Sequence, residues 1–143
     1  MKNISLSNAG FILRIFLGIT MLSAVADRFG FWGAPGAPGV AWGNWENFIA
    51  YTQTLNSFAS KSFAEILGVI ATFLEITFSL LLIIGFKTRY AALGTAGLML
   101  LFAVSMTIAI SIKAPLDYSV FTSFAAALTL SSIEKTTFSL DVK

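Results

Sequence analysis

Four long apolar runs, at about residues 9–27, 63–85, 90–112 and 116–133, limit what this chain can become. Each approaches or exceeds the ~20 residues a helix needs to span a hydrocarbon core. A soluble domain needs roughly a quarter of its residues charged to cover its surface. Here 11% of 143 residues are charged and 57% are hydrophobic, so most of the surface must face something other than water. The expected fold class is all-α: an integral membrane four-helix bundle, with residues 1–143 as a single transmembrane domain.

The corners between runs are short. Gly85-Phe86-Lys87-Thr88-Arg89 is a polar turn that makes its flanking helices antiparallel, and Pro115 suits the first turn of a new helix. The last run is the shortest and carries Ser119, Thr122, Ser123, Thr129, Ser131 and Ser132. Ala24-Val25-Ala26 has the small residues of a signal-peptide cleavage site, but Arg14 abuts the apolar run, so a retained first helix is expected. Counting Lys and Arg in the loops places Lys2, Lys87, Arg89, Lys135 and Lys143 on one side and Arg28, Lys61 and Lys113 on the other. By the positive-inside rule both termini are then cytoplasmic, and the expected location is a bacterial inner membrane.

The one long connection, an outer loop over 28–62, opens with a tandem Gly-Ala-Pro repeat at 33–39. Proline removes the amides a phosphate cradle would need, so the repeat reads as a stiff turn. Trp45, Phe48, Ile49, Thr52, Leu55 and Ala59 then recur at helical spacing opposite Asn44, Asn47, Gln53 and Asn56. That pattern predicts an extra short amphipathic helix lying on the membrane surface or folding over the bundle.

With no Cys and no His, the chain lacks the ligands for iron–sulfur clusters, ordinary haem, copper or zinc, and no acidic cluster has calcium spacing, so no metal site is expected. The net charge of +2 comes from Lys and Arg scattered singly, which excludes nucleic acid. No intrinsic cofactor is expected, and redox work would need an external carrier such as a quinone.

Charges inside the runs are the sharpest functional signal, because an unpaired charge in hydrocarbon costs several kcal/mol. Arg14 lies in the first run and Glu75 near the middle of the second. With the inner helix ends level, they are offset by ~8 Å along the axis, within reach of an arginine. The expectation is an Arg14–Glu75 pair, serving either as a pin for helix register or as a polar centre that binds a headgroup or relays a proton. Gly10, Arg14 and Gly18 share one small-polar stripe; Gly68, Thr72, Glu75 and Ser79 share another. Gly94, Gly97 and Ser105 suggest a third on the next helix, and Ser119, Thr122, Ser123, Ala126 and Thr129 a fourth, so that all four faces point inward. Asp27, Arg28 and Glu65 gather at the outer helix ends, as an Arg28–Glu65 bridge or as the rim of an outward-facing pocket. Trp42 and Trp45 serve as interfacial anchors or as a wall for a planar ligand. Lys87 and Arg89 satisfy the charge rule and can also grip lipid phosphates.

In Leu13-Arg14-Ile15 with Gly18, the Asp27-Arg28 exit, Glu75, the run Leu80-Leu81-Leu82-Ile83-Ile84-Gly85, Arg89 and Ala91-Ala92, the chain resembles the DoxX family over roughly residues 11–130. That resemblance implies a bacterial inner-membrane four-helix bundle, with Arg14, Glu75, Gly85 and Arg89 as the matching positions. The family name comes from a membrane subunit of a thiosulfate:quinone oxidoreductase, so a quinone- or redox-associated subunit is implied. The lack of Cys sets the chain apart from relatives proposed to use thiols. A non-enzymatic scaffold or anchor for a partner protein is the alternative, and a small solute or lipid carrier the third. The expected partners are the bilayer, a redox partner subunit and, as a further option, a second copy of the chain.

Overall fold

The structure is a computed structural model that describes residues 4–141; Lys2 and Lys143, counted above, lie outside them. Six helices follow one another: α1 Leu6–Arg28, α2 Trp45–Leu55, α3 Lys61–Ile84, α4 Thr88–Ala109, α5 Lys113–Asp117 and α6 Val120–Ser131. No strand occurs among the described residues. Three helices, α1, α3 and α4, are long and apolar enough to cross a membrane. Their 23, 24 and 22 residues extend about 33–36 Å at 1.5 Å per residue.

The helix boundaries have local causes. Ser5 and Ser60 cap α1 and α3 by accepting the amides of Asn8 and Phe63, and Asn44 caps α2 through Asn47. Gly85 ends α3 in the left-handed conformation, φ +69°, which a side chain rarely adopts. The expected amphipathic helix is α2, and Phe48 and Ile49 are its buried residues.

The fourth run is not one helix. It divides into α5, whose Pro115 is buried, and the 12-residue α6, which covers about 18 Å. Between them Ser119 has φ +56°, which breaks the helix. The chain nonetheless returns from one end of the bundle to the other. At one end α5 packs against α4, as α2 does, while Thr137 meets Ser7 and Asn8 of α1 at the opposite end.

Two of the four inward stripes form as expected. Gly10, Arg14 and Gly18 are buried on α1, and Gly68, Thr72, Glu75 and Ser79 on α3. On α4 Gly94 packs against the Phe78 ring of α3, but Gly97 faces outward with nothing near it, and the buried face is mostly Ala91, Ala92, Thr95, Ala96, Leu98 and Ala103. On α6 only Ala127 and Leu130 are buried. Ser123 and Thr129 donate to carbonyls one turn back, so these hydroxyls are satisfied locally and need no inward partner.

Candidate functional site

Near the α2 end of the bundle, Arg28 and Glu75 form a buried ion pair. Arg28 Nη2 donates to both carboxylate oxygens of Glu75 at 2.7 and 2.8 Å, and Nη1 donates to the Thr72 hydroxyl at 2.7 Å. The two side chains are 3% and 2% exposed. Sequence order makes this possible: Thr72 and Glu75 are three residues apart and share a helix face. Arg28 ends α1 beside them.

The α2 helix closes over this pair because Gly68 leaves it room. A Cβ on residue 68 would lie 2.5 Å from Ile49 Cδ1 and 3.1 Å from Phe48 Cε1. Through that gap Phe48 lays its ring 4.0 Å from the Arg28 guanidinium, and Trp42 adds a second ring at 5.4 Å. Such cation–π contacts strengthen when the cation is desolvated. Asp27 fixes the loop that carries Trp42, accepting the amides of Ala41 at 2.8 Å and Gly43 at 3.0 Å. Glu75 and Arg28 are thus compensated by each other, as a buried pair must be.

The expected Arg14–Glu75 pair does not form. Side chains on a helix lean toward its N-terminus, so Arg14 extends toward the start of α1, away from Glu75. Arg28, at the other end of the same helix, leans in the same direction, which carries it into the interior and onto Glu75. Helix register agrees: a Cβ at Gly18 would touch Ser79 and Ile83, which sets Arg14 near the end of α3, more than two turns from Glu75. The Arg28–Glu65 bridge is absent for the same reason, and Glu65 is exposed on α3. Trp42 belongs to the buried cluster, and Trp45 stacks on Phe29 with ring centroids 5.7 Å apart.

Beside the pair runs an open groove of about 470 Å³ lined by Phe29, Trp45, Val69, Thr72, Phe73 and Ile76. Thr72 both lines the groove and accepts from Arg28. Deeper in the bundle, Ser79 and Thr95 are fully buried with hydroxyls that find no partner.

At the opposite end, Arg14 is fully buried and surrounded by carbonyls. Nη1 donates to Leu82 and Ile83 at 2.8 and 2.9 Å, and Nη2 donates to Thr137 at 3.0 Å and to Phe138. Leu82 and Ile83 belong to the last turn of α3, whose carbonyls carry the negative end of the helix dipole; Leu82 also accepts the Gly85 amide at 3.2 Å. Gly85 permits this approach: a Cβ there would collide with Arg14 Nη1 and lie 2.7 Å from its Cζ. Residues 133–141, which carried no sequence signal of their own, fold back to supply the remaining acceptors. Asp141 accepts the amides of Lys87, the N-cap of α4, and Thr88, its first residue, and its own amide donates to Gly85. It replaces the cap that Lys87 does not provide.

Helices of spanning length, an apolar exterior and charges hidden in pairs or carbonyl cages define an all-α, multi-pass membrane protein. Among the described residues no three potential metal-ligating side chains come together. The chain belongs to the DoxX family, whose model matches residues 9–108, from α1 through nearly all of α4. No curated protein and no solved structure gives a match.

Proposed function

We propose that the groove beside Thr72 receives the ring of a quinone, and that the protein serves as a quinone-associated membrane subunit. The observation that carries this reading is the position of Thr72, with one side on the groove and its hydroxyl on Arg28, which in turn holds Glu75. The other five lining residues are apolar, three of them aromatic, which suits a flat ring with few polar atoms. Phe73 and Val69 are exposed on the outer face of α3, so a molecule with an apolar tail enters sideways from the bilayer. A carbonyl oxygen that accepts the Thr72 hydroxyl stands two hydrogen bonds from Arg28 and three from the Glu75 carboxylate. The guanidinium stays protonated and polarises the Thr72 hydroxyl, which stabilises the charge that develops on the ring oxygen, while electrons come from a partner subunit and protons from water.

The test is photolabelling of membranes containing the protein with an azido-quinone analogue. Labelling should fall within residues 69–76 and compete with unlabelled quinone. Thr72→Val should weaken labelling while the protein accumulates normally, and Glu75→Gln should slow quinone reduction where a partner supplies electrons. Labelling spread evenly over all lipid-facing helices would end this reading.

A further inference from the structure

Trp45 lines the groove with Phe29 and Thr72, and its ring stacks on Phe29 with 13° between the ring planes. It also packs against Phe48, three residues along the same face of α2, with ring centroids 5.3 Å apart. Phe48 lies 4.0 Å from the Arg28 guanidinium, and Arg28 donates to Thr72, which brings the chain of contacts back to the groove. One member of this circuit is lightly held. The helix α2 has 11 residues, of which Phe48 and Ile49 are buried, and it rests on α3 where Gly68 leaves room. A helix this short is not stable in water by itself, so α2 keeps its hydrogen bonds only while it is packed.

We propose, resting on the quinone reading of the groove, that α2 is a lid coupled to it: a bound ring holds α2 down, and α2 held down tightens the ring. Trp45 offers its face to the groove only while α2 lies on Gly68. The contacts between ring and Trp45 therefore exist in the closed state and are lost when α2 lifts. A ligand with that difference shifts the equilibrium toward closure, and linkage makes the effect reciprocal. The polar side of the groove depends on the same helix. Phe48 covers the Arg28 guanidinium, so Arg28 holds the Thr72 hydroxyl in dry surroundings, where a hydrogen bond is stronger. Lifting α2 lets water reach Arg28 and weakens that hold. Ring affinity is thus set partly at a distance, by Ile49, which packs at Gly68 and does not line the groove.

The test is amide hydrogen exchange of the protein in lipid nanodiscs, with and without a decyl-substituted benzoquinone. At about ten times its Kd, the quinone should slow exchange in α2, residues 45–55, about tenfold, the factor by which that concentration shifts the lid equilibrium. Exchange across residues 95–105 of α4 should not change. Ile49→Ala trims the packing of the lid without touching the groove. In that variant α2 should exchange faster at rest, and the quinone should bind at least about threefold more weakly, the penalty when the closed fraction falls to about a third. Trp45→Ala removes the link between ring and lid, so saturating azido-quinone should still label residues 69–76 while no longer slowing exchange in α2. Three results would overturn the coupling and leave the groove reading intact: labelling of 69–76 with unchanged exchange in wild-type α2, wild-type affinity in Ile49→Ala, or slowed exchange persisting in Trp45→Ala. Absence of labelling at 69–76 in the wild-type protein would overturn the groove reading, and the lid with it.

Discussion

Arg28, the last residue of α1, and Glu75, in the middle of α3, meet at 2.7 Å across 47 residues of sequence with almost no exposure. This pair, the Phe48 ring above it and Thr72 beside it tie α1, α2 and α3 into one unit. Removing one member of a buried ion pair strands the other charge, which typically costs ~3–5 kcal/mol, whereas replacing both with apolar groups is often neutral. Arg28→Met and Glu75→Leu should therefore each destabilise the protein by that amount, and the double variant should recover most of the loss. Thermal unfolding in detergent measures it. Additive losses in the double variant would show that the two side chains act independently.

The glycines give a sharper contrast. Gly85 has φ +69° and sits against Arg14 and the Ser139 Cα. Gly85→Ala should cost at least ~1–3 kcal/mol from backbone strain alone, with further loss as Arg14 leaves its carbonyls. Gly97 lies within α4 with open space around it, and Gly97→Ala should stabilise by ~0.5–1 kcal/mol, the ordinary gain for a helix interior. Unfolding midpoints of the two variants should move in opposite directions.

Much of this was legible in the sequence. Apolar length located α1, α3 and α4, and helical spacing located α2 with Phe48 and Ile49 inward. The need to bury charge singled out Arg14 and Glu75, and both are buried. Axial offset alone does not predict which arginine pairs with Glu75. The lean of side chains toward a helix N-terminus would have turned Arg14 away from Glu75 and Arg28 toward it. Residues 133–141 were illegible for a different reason: a short segment held by carbonyls and one carboxylate has no periodicity to read. On α6, Thr129 bonds to its own helix and faces out, while Thr122 and Ser123 line a shallow crevice against α1.

Asp141 makes the tail sensitive to acid. Burial pushes its carboxyl up, but contributions from Thr88, the Lys87 amide and Ser139 outweigh this and hold it below its ordinary value. A carboxyl depressed in the folded state stabilises above its unfolded pKa, ~3.9, and that stabilisation disappears as pH falls through the lower folded value. The wild-type protein should therefore exceed Asp141→Asn in stability at neutral pH, and the two should converge at pH values below ~3.9. Unfolding midpoints across that range check the sign. A gap that widens on acidification would refute it.

Gly68 decides whether α2 stays down over Arg28. Any side chain there meets Ile49 at 2.5 Å and the Phe48 ring at 3.1 Å, and the branched side chain of Val cannot flex out of the way. Gly68→Val should lift α2 while leaving the Arg28–Glu75 hydrogen bonds, which lie one to two turns deeper on α3, in place. The tryptophans report the motion. Trp42 packs against Phe48 and Tyr51, and Trp45 against Phe29 and Phe48, so both should become more open to acrylamide quenching. Trp32 donates to the Ser23 carbonyl on α1 and should not change. Single-tryptophan versions separate the three signals, and unchanged quenching at positions 42 and 45 would mean that Gly68 does not set the position of α2.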